Sequence, residues 1–436
     1  MNMNMIKAGI RKVGILLIAA MLLGLGLPMG MRADGKVKYY CDWTCNGGFI
    51  RISDQKYIYG GMGKFGFMDK KGKIVIPPKY DDVFGFKEGL SRVMDNERYG
   101  FINKKGREVV PLKYEYALDF SEGLAVVQND GKFGFINKKG RIAVSLKYDD
   151  AMDFGEGLAS VKKDGKYGFI NKKGKEVVPL TYEDVGTFSE GLAWVKNNGK
   201  YGFINKTGKE VVPLIYDLAE YRGGIFHQGI TKMKKDGKYG FVNKKGKVVV
   251  PFIYEEMSEF NQGLLSVKRN GKYGYVNKQG KEIIPIKYDY AKDFSEGLAP
   301  VEKNGKWGYI NKQGKVVISL KYEGADEFEK GSGAVFRNRK FGLINRQGKL
   351  VVPIKYYDSP NRSSYKGLYN VSGKDGVGVI DSNGKIIVPA AKYDYIMFFR
   401  EGLALVEKKI GGEFKGGFIN KKGKLVIPIK YGILEQ

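Results

Sequence analysis

One segment recurs along the chain and leaves little freedom in what it can fold into. The stretch Tyr99-Gly100-Phe101-Ile102-Asn103-Lys104-Lys105-Gly106 returns, nearly intact, from Phe133, Tyr167, Tyr201, Tyr239, Tyr273, Trp307 and Phe341, and further copies begin at Phe65, Val377 and Gly416. The spacing is 34 residues, apart from small insertions before Tyr239, Val377 and Gly416. A 34-residue period also suits helical arrays, so turn chemistry has to discriminate. Each copy carries a glycine-centred turn such as Asn103-Lys104-Lys105-Gly106, where asparagine opens a type I turn and glycine takes the left-handed position of a bulged hairpin loop. Asn129-Asp130-Gly131 is a second hairpin signal. Between such turns lie short aromatic and β-branched runs, Leu124 to Val127, Phe133 to Ile136 and Ile142 to Val144. A helix of ten residues does not fit between them.

Each copy therefore reads as a three-stranded meander followed by a longer connection, Leu146 to Gly157 in the third copy. In Phe133-Gly134-Phe135-Ile136 the two aromatics point one way and Gly134 with Ile136 the other. Gly134 is expected to make room for an aromatic of the adjacent copy. Proline stands near the end of the following run in nine copies, among them Pro111, Pro179 and Pro213, and is expected to close that strand; Ser145 and Ser319 replace it elsewhere. Tyrosines follow from Tyr80 and Tyr114 to Tyr431, and Phe-x-x-Gly, as in Phe120 to Gly123, precedes the next strand. One meander has too little apolar area to stand alone, so these aromatics are expected to form a core between stacked copies. The fold class is all-β: tandem 34-residue meanders stacked in an open twisted array, with a closed propeller-like ring or rings as the alternative.

The pattern resembles the WG β-repeat family of bacterial proteins, also known as KWG repeats. The naming dipeptide stands here as Trp307-Gly308 after Lys306, and as Tyr-Gly or Phe-Gly in most other copies, over roughly Lys64 to Tyr431. The resemblance implies tandem β-repeats in proteins that are often exported or surface-located, and it implies no reaction. The copies at Val377 and Gly416 lack the leading aromatic and read as degenerate closing units.

The chain divides into three parts. Residues 1–33 form a signal peptide or membrane anchor: Lys7, Arg11 and Lys12 precede an apolar run from Val13 to Leu27, and Ala33 is a cleavage position. Residues 34–63 form an N-terminal cap segment, and 64–436 hold about eleven repeats. Export places the chain in the periplasm, at the cell surface or outside the cell. Cys41 and Cys45 are placed to close a local disulfide there, or to remain a pair of thiols.

Catalysis needs a unique constellation, and repetition supplies the opposite. Asp119, Glu122, Asp149 and Asp153 could be imagined as paired glycosidase carboxylates, but they recur at repeat spacing, which suits turn and loop roles. The single histidine, His227, sits in the insertion Arg222 to Gln228. No phosphate loop, dinucleotide fingerprint or zinc motif is present. The chain is thus expected to be no enzyme and to need no cofactor or metal. A carbohydrate-active enzyme is the weakest alternative.

Charge supplies the positive signal. The net charge of +28 would attract polyanions. The residue after each hairpin glycine is basic in all eleven copies, and the residue three places earlier is basic in ten, failing at Ser382. Stacking would line Lys70, Lys71, Lys73, Lys104, Lys105, Arg107, Lys138, Lys139, Arg141, Lys172, Lys173 and Lys175 along one edge. Two readings follow: a surface binding or scaffold module for protein partners, or a binder of anionic wall polymers or glycans through that edge. Export makes nucleic acid an unsuitable partner, and a membrane is contacted only if the N-terminal segment stays uncleaved. Charged turns that merely keep strand edges soluble are the plainer explanation of the lysines.

Overall fold

The computed structural model describes residues 39–54, 63–219, 226–227, 229–357, 367–373 and 376–433, without the side chains of 42–46, 218–219 and 433. The signal or anchor segment and the Cys45 thiol lie outside the described residues. All regular structure in them is β.

The third copy shows how the unit is built. Tyr116–Ala117, Leu124–Asn129, Lys132–Asn137 and Ile142–Tyr148 form one antiparallel sheet in that order. The unit thus has four strands where the sequence reads three. The extra strand is only two residues long and lies within the apparent connection, joined to its neighbour through Ala117 and Val127.

The expected turns close these strands. Gly106 N–H donates to the Asn103 carbonyl at 2.9 Å, with Gly106 at φ +75°, and the Asn103 side chain accepts from Lys105 and Arg107 backbone N–H groups at 2.9 and 3.1 Å. Asparagine is needed because its side-chain oxygen satisfies two donors that the tight turn turns outward. Asp130 (φ 51°) and Gly131 (φ 69°) both take left-handed conformations, as a two-residue primed turn requires. A third turn is unexpected. At Ser121-Glu122-Gly123-Leu124 the non-glycine Glu122 is left-handed at φ 52°, and Glu88, Glu156, Glu190, Glu296 and Glu401 repeat this in their own copies.

Two expectations about strands need correction. A Cβ on Gly134 would lie 2.6 Å from the Val144 carbonyl oxygen and 2.8 Å from Leu146 N, so the close neighbour is the fourth strand's backbone in the same sheet. An aromatic of the adjacent copy does not occupy that space. The cause is a bulge: Phe133 pairs with Tyr148 and Phe135 with Val144, leaving three residues opposite one glycine. Proline does not end the strand either. Pro111 sits inside Glu108–Tyr114, in the equivalent bulge of an outer strand, where a missing N–H costs no ladder bond.

The core lies between sheets, as expected. Phe135, Val144 and Tyr148 of the third copy pack against Ala151, Phe154, Val161 and Ile170 of the fourth. The aromatic of Phe-x-x-Gly meets the preceding sheet edge-on: Phe101 with Phe120, Phe135 with Phe154 and Phe169 with Phe188 have ring centroids 4.7–4.8 Å apart. Such T-shaped pairs add to the area they bury. Leu124 to Val127 is buried on both faces because each inner strand has a sheet on either side.

The ends of the array meet. Tyr40–Asn46 runs parallel to Leu425–Ile433, pairing Tyr40 with Gly432 and Cys41 with Ile433, and this joins the first and last units in one eight-stranded sheet. Cys41, Ile50, Ile52 and Met68 share a core with Leu403, Leu405, Phe418, Ile427 and Tyr431. Of the two stacked arrangements that the repeat allows, the ring is the one whose ends meet in this way.

Candidate functional site

Some of the basic turn residues pair with the neighbouring sheet while staying exposed. Lys138 reaches back to Glu88 in the preceding sheet, bonding its carboxylate at 2.9 Å and its backbone carbonyl at 3.1 Å. The same carboxylate accepts the Gly123 N–H at 3.0 Å. Lys172 treats Glu122 alike, at 3.1 and 2.9 Å, while Gly157 N–H donates to Glu122 at 3.0 Å. Lys206 and Gly191 do so with Glu156, and Lys244 pairs with Glu190. Gln262 keeps the pattern with no charge, accepting from Gly297 N–H and, through its carbonyl, from Lys312. This explains the left-handed glutamate: the primed turn aims its carboxylate at the neighbouring sheet.

Ring closure uses the same device. Glu401 of the last unit accepts from Gly47 and Gly48 N–H groups at 3.3 Å each and pairs with Lys70 at 3.0 Å. Lys70, Lys138 and Lys172 of the candidate edge are therefore joints between sheets. Lys71, Lys73, Lys104, Lys105, Arg107, Lys139, Arg141, Lys173 and Lys175 have exposed side chains, and these form what remains of the edge. The sequence signal for the joints was present in the recurring Glu-Gly, but partners 35 and 50 residues apart cannot be picked out of a repeat.

The joints carry a pH signature. The Lys138 ammonium holds the Glu88 carboxyl below the ordinary glutamate value, against partial burial. At Glu122, Glu156 and Glu401 burial is the largest single influence and pushes upward. Lysine and glycine N–H together outweigh it, so the net direction is again down. A carboxyl lowered in the folded state stabilises above its unfolded value, near 4.5, and this stabilisation is lost as pH falls through the folded value. Replacing Glu88, Glu122 and Glu156 by glutamine, as nature has at Gln262, is expected to lower stability at pH 7 by under about 1 kcal/mol per site. It should also flatten the loss of stability below pH 4.5. Urea unfolding between pH 3 and 7 checks this; an unchanged acid slope would contradict it.

The other singled-out residues fall in separate places. Asp149 pairs with Lys132 at 2.7 Å and accepts the Asp164 N–H. Asp119 and Asp153 come from equivalent positions of adjacent sheets, with the Arg92 guanidinium 3.4 Å from Asp119. Burial, then the Asp119 charge, push the Asp153 carboxyl up to about 6, with Arg92 opposing. His227 is exposed and its backbone bridges to Ile230, at the start of a hairpin. Cys41 is buried, its Sγ 3.8 Å from the Gly432 carbonyl oxygen.

Every sheet is thus built on one motif, and that motif has known relatives. The family described as "WG containing repeat" matches at residues 65–99, 99–133, 133–167, 167–201, 201–239, 239–273, 273–307, 307–340, 341–372, 378–409 and 417–432. The chain belongs to this WG-repeat family. The match at 133–167, for example, begins in the two outer strands of one sheet and ends in the two inner strands of the next. No curated protein matches the chain. Among solved structures, a eukaryotic initiation factor is similar at 13% identity and TM-score 0.35, covering 71% of this chain and 96% of that one. The extracellular domain of a putative hybrid two-component system from B. thetaiotaomicron is similar at 11% identity and TM-score 0.28, over 92% of this chain and 66% of that one. The tricorn protease is similar at 13% identity and TM-score 0.22, with 78% of this chain spanning 43% of its length. These likenesses are too loose to carry any functional argument.

Proposed function

We propose that this WG-repeat protein is exported and acts without catalysis, as a surface binding or scaffold module for protein partners. One observation carries the reading. The residues that recur in unit after unit, the turn asparagine, the left-handed glutamate, the first turn lysine and the strand glycine, are committed to turns and to joints between sheets. What differs from unit to unit is the insertions before Tyr239, Val377 and Gly416 and single positions such as Leu118, Met152, Gly186 and Ser258, and a rigid scaffold bearing variable loops suits recognition. The basic N-terminal segment with its apolar run supports export.

A second reading rests on the exposed remainder of the turn edge, where Lys71, Lys105, Lys139 and Lys173 face solvent. It assigns an anionic envelope polymer as the partner. Sedimentation of residues 34–436 with envelope fragments of the producing bacterium separates the two. Protein recognition predicts binding that survives about 0.5 M salt, where exposed charges are largely screened. It also predicts loss of binding after protease treatment of the envelope, and no change when those four lysines become glutamine. Binding that resists protease, falls steeply with salt and weakens in the glutamine variant would replace it with the polymer reading.

A further inference from the structure

Among the described residues, the filling between sheets is thin in the seventh copy. Position 118 and its equivalents carry Leu118 in the third copy and Met152 in the fourth, and where Gly186 takes that position the indole of Trp194 fills the space. In the seventh copy the two facing positions are Ser258 and Ser266, whose Ser258 Oγ accepts the Ser266 N–H at 3.0 Å. Two small side chains leave a cleft of about 330 Å³, lined by three successive units from Glu256 to Glu327. That volume lies at the lower end of small-ligand sites.

The chemistry of the cleft runs against that of the chain. The whole protein is strongly basic, yet the charged side chains lining the cleft are Glu256, Asp293 and Glu327 against Lys292 alone. Lys292 is already engaged by the buried Asp326 of the next unit. Glu256 is held by Lys268 at 2.7 Å and by the Tyr273 hydroxyl. Asp293 is left with less compensation. Burial pushes the Asp293 carboxyl upward, against a Ser258 hydrogen bond and the Lys232 charge, so a further cation beside it would be favourable. The wall is aromatic: Tyr290 is 44% exposed and stands between Tyr273 and Trp307, with ring centroids 5.0 and 5.6 Å away. Carboxylates beside an exposed aromatic face are the combination that recognises an ammonium group on a carbon skeleton.

We propose that this cleft binds a small primary amine, with its ammonium against Asp293 and Glu327 and its carbon skeleton on Tyr290. A polyamine and an amino sugar share that chemistry. Calorimetric titration of residues 34–436 with spermidine and with glucosamine tests it, with N-acetylglucosamine as the neutral control. At least one amine is expected to bind with a dissociation constant below about 1 mM. Binding of spermidine alone assigns a polyamine, and binding of glucosamine alone an amino sugar. The neutral control is expected not to bind. Asp293→Asn and Glu327→Gln should each weaken binding about tenfold, the usual effect of removing a charged hydrogen-bond partner. A glutamine variant of Glu282, an acidic residue outside the cleft, should change nothing. Retention of the far-ultraviolet dichroism and melting midpoint shows that the variants are folded. No binding of either amine, equal binding of N-acetylglucosamine, or unchanged affinity in both cleft variants would overturn the proposal.

Discussion

Gly168→Ala is expected to destabilise the protein by about 3 kcal/mol, the upper part of the usual range for overpacking, because nothing near the new methyl group can yield. A Cβ there would lie 2.5 Å from the Val178 carbonyl oxygen and 2.6 Å from that of Pro179. Both atoms are backbone of the bulged outer strand, which is itself fixed by the pairing of Tyr167 with Tyr182 and Phe169 with Val178. Relief would require the bulge to open, and with it the packing of Phe169 and Val178 against Phe188 and Val195 of the next sheet. Gly157→Ala, in the same copy, is the control. Gly157 has φ +88° but no atom within 4 Å of its Cβ position, so only the left-handed backbone penalty applies, about 1–2 kcal/mol. Urea unfolding of the two variants should separate them clearly. Equal losses would show that the close approach of the bulge to Gly168 has no more energetic weight than a left-handed alanine.

That glycine also shows where the sequence stops being legible. The fold class, the eleven units, two of the three turns and the inter-sheet aromatic core could all be read from residues such as Asn103, Gly106, Asp130 and Phe120, because local turn chemistry and period-2 alternation depend on neighbours in the chain. Gly134 was visible as a place of close approach, but not what approaches it, since a bulge in the partner strand alters register without altering composition. Pro111 marked an irregularity correctly and its kind incorrectly, for the same reason. Tyr116–Ala117 was too short to carry an alternating pattern. Of the candidate edge, the middle and final turn residues are exposed. The joints at Lys70, Lys138 and Lys172 were not legible, because in a repeat every lysine has the same choice of glutamates. The cleft is a departure from the repeat, and only the unfilled volume beside Ser258 and Ser266 distinguishes those serines from any other surface substitution.

Closure of the ring was the least legible feature. Gly47-Gly48-Phe49 stands where other units have Glu-Gly-Leu, and only the structure shows Glu401 reaching it across 353 residues of chain. Closure removes two open faces that would otherwise expose Ile50, Ile52, Met68, Leu403 and Phe418, now buried together. It also pairs the outer strand Leu425–Ile433 with Tyr40–Asn46, covering part of an edge open to association with other chains. Closure leaves no end from which unfolding can begin cheaply.

The distance between the first and last units tests this account most directly. Spin labels on ketone-bearing residues introduced at Lys71 and Lys422 leave Cys41 and Cys45 untouched, and labels at Lys139 and Lys173 report the spacing of ordinary neighbours. Sheets pack about 10 Å apart, so a straight open stack of eleven would separate its ends by on the order of 100 Å. The closed ring predicts that the Lys71–Lys422 pair gives the same short distance distribution as the Lys139–Lys173 pair, and that Glu401→Ala broadens the first without changing the second. A Lys71–Lys422 distance several times that of the neighbour pair would contradict it.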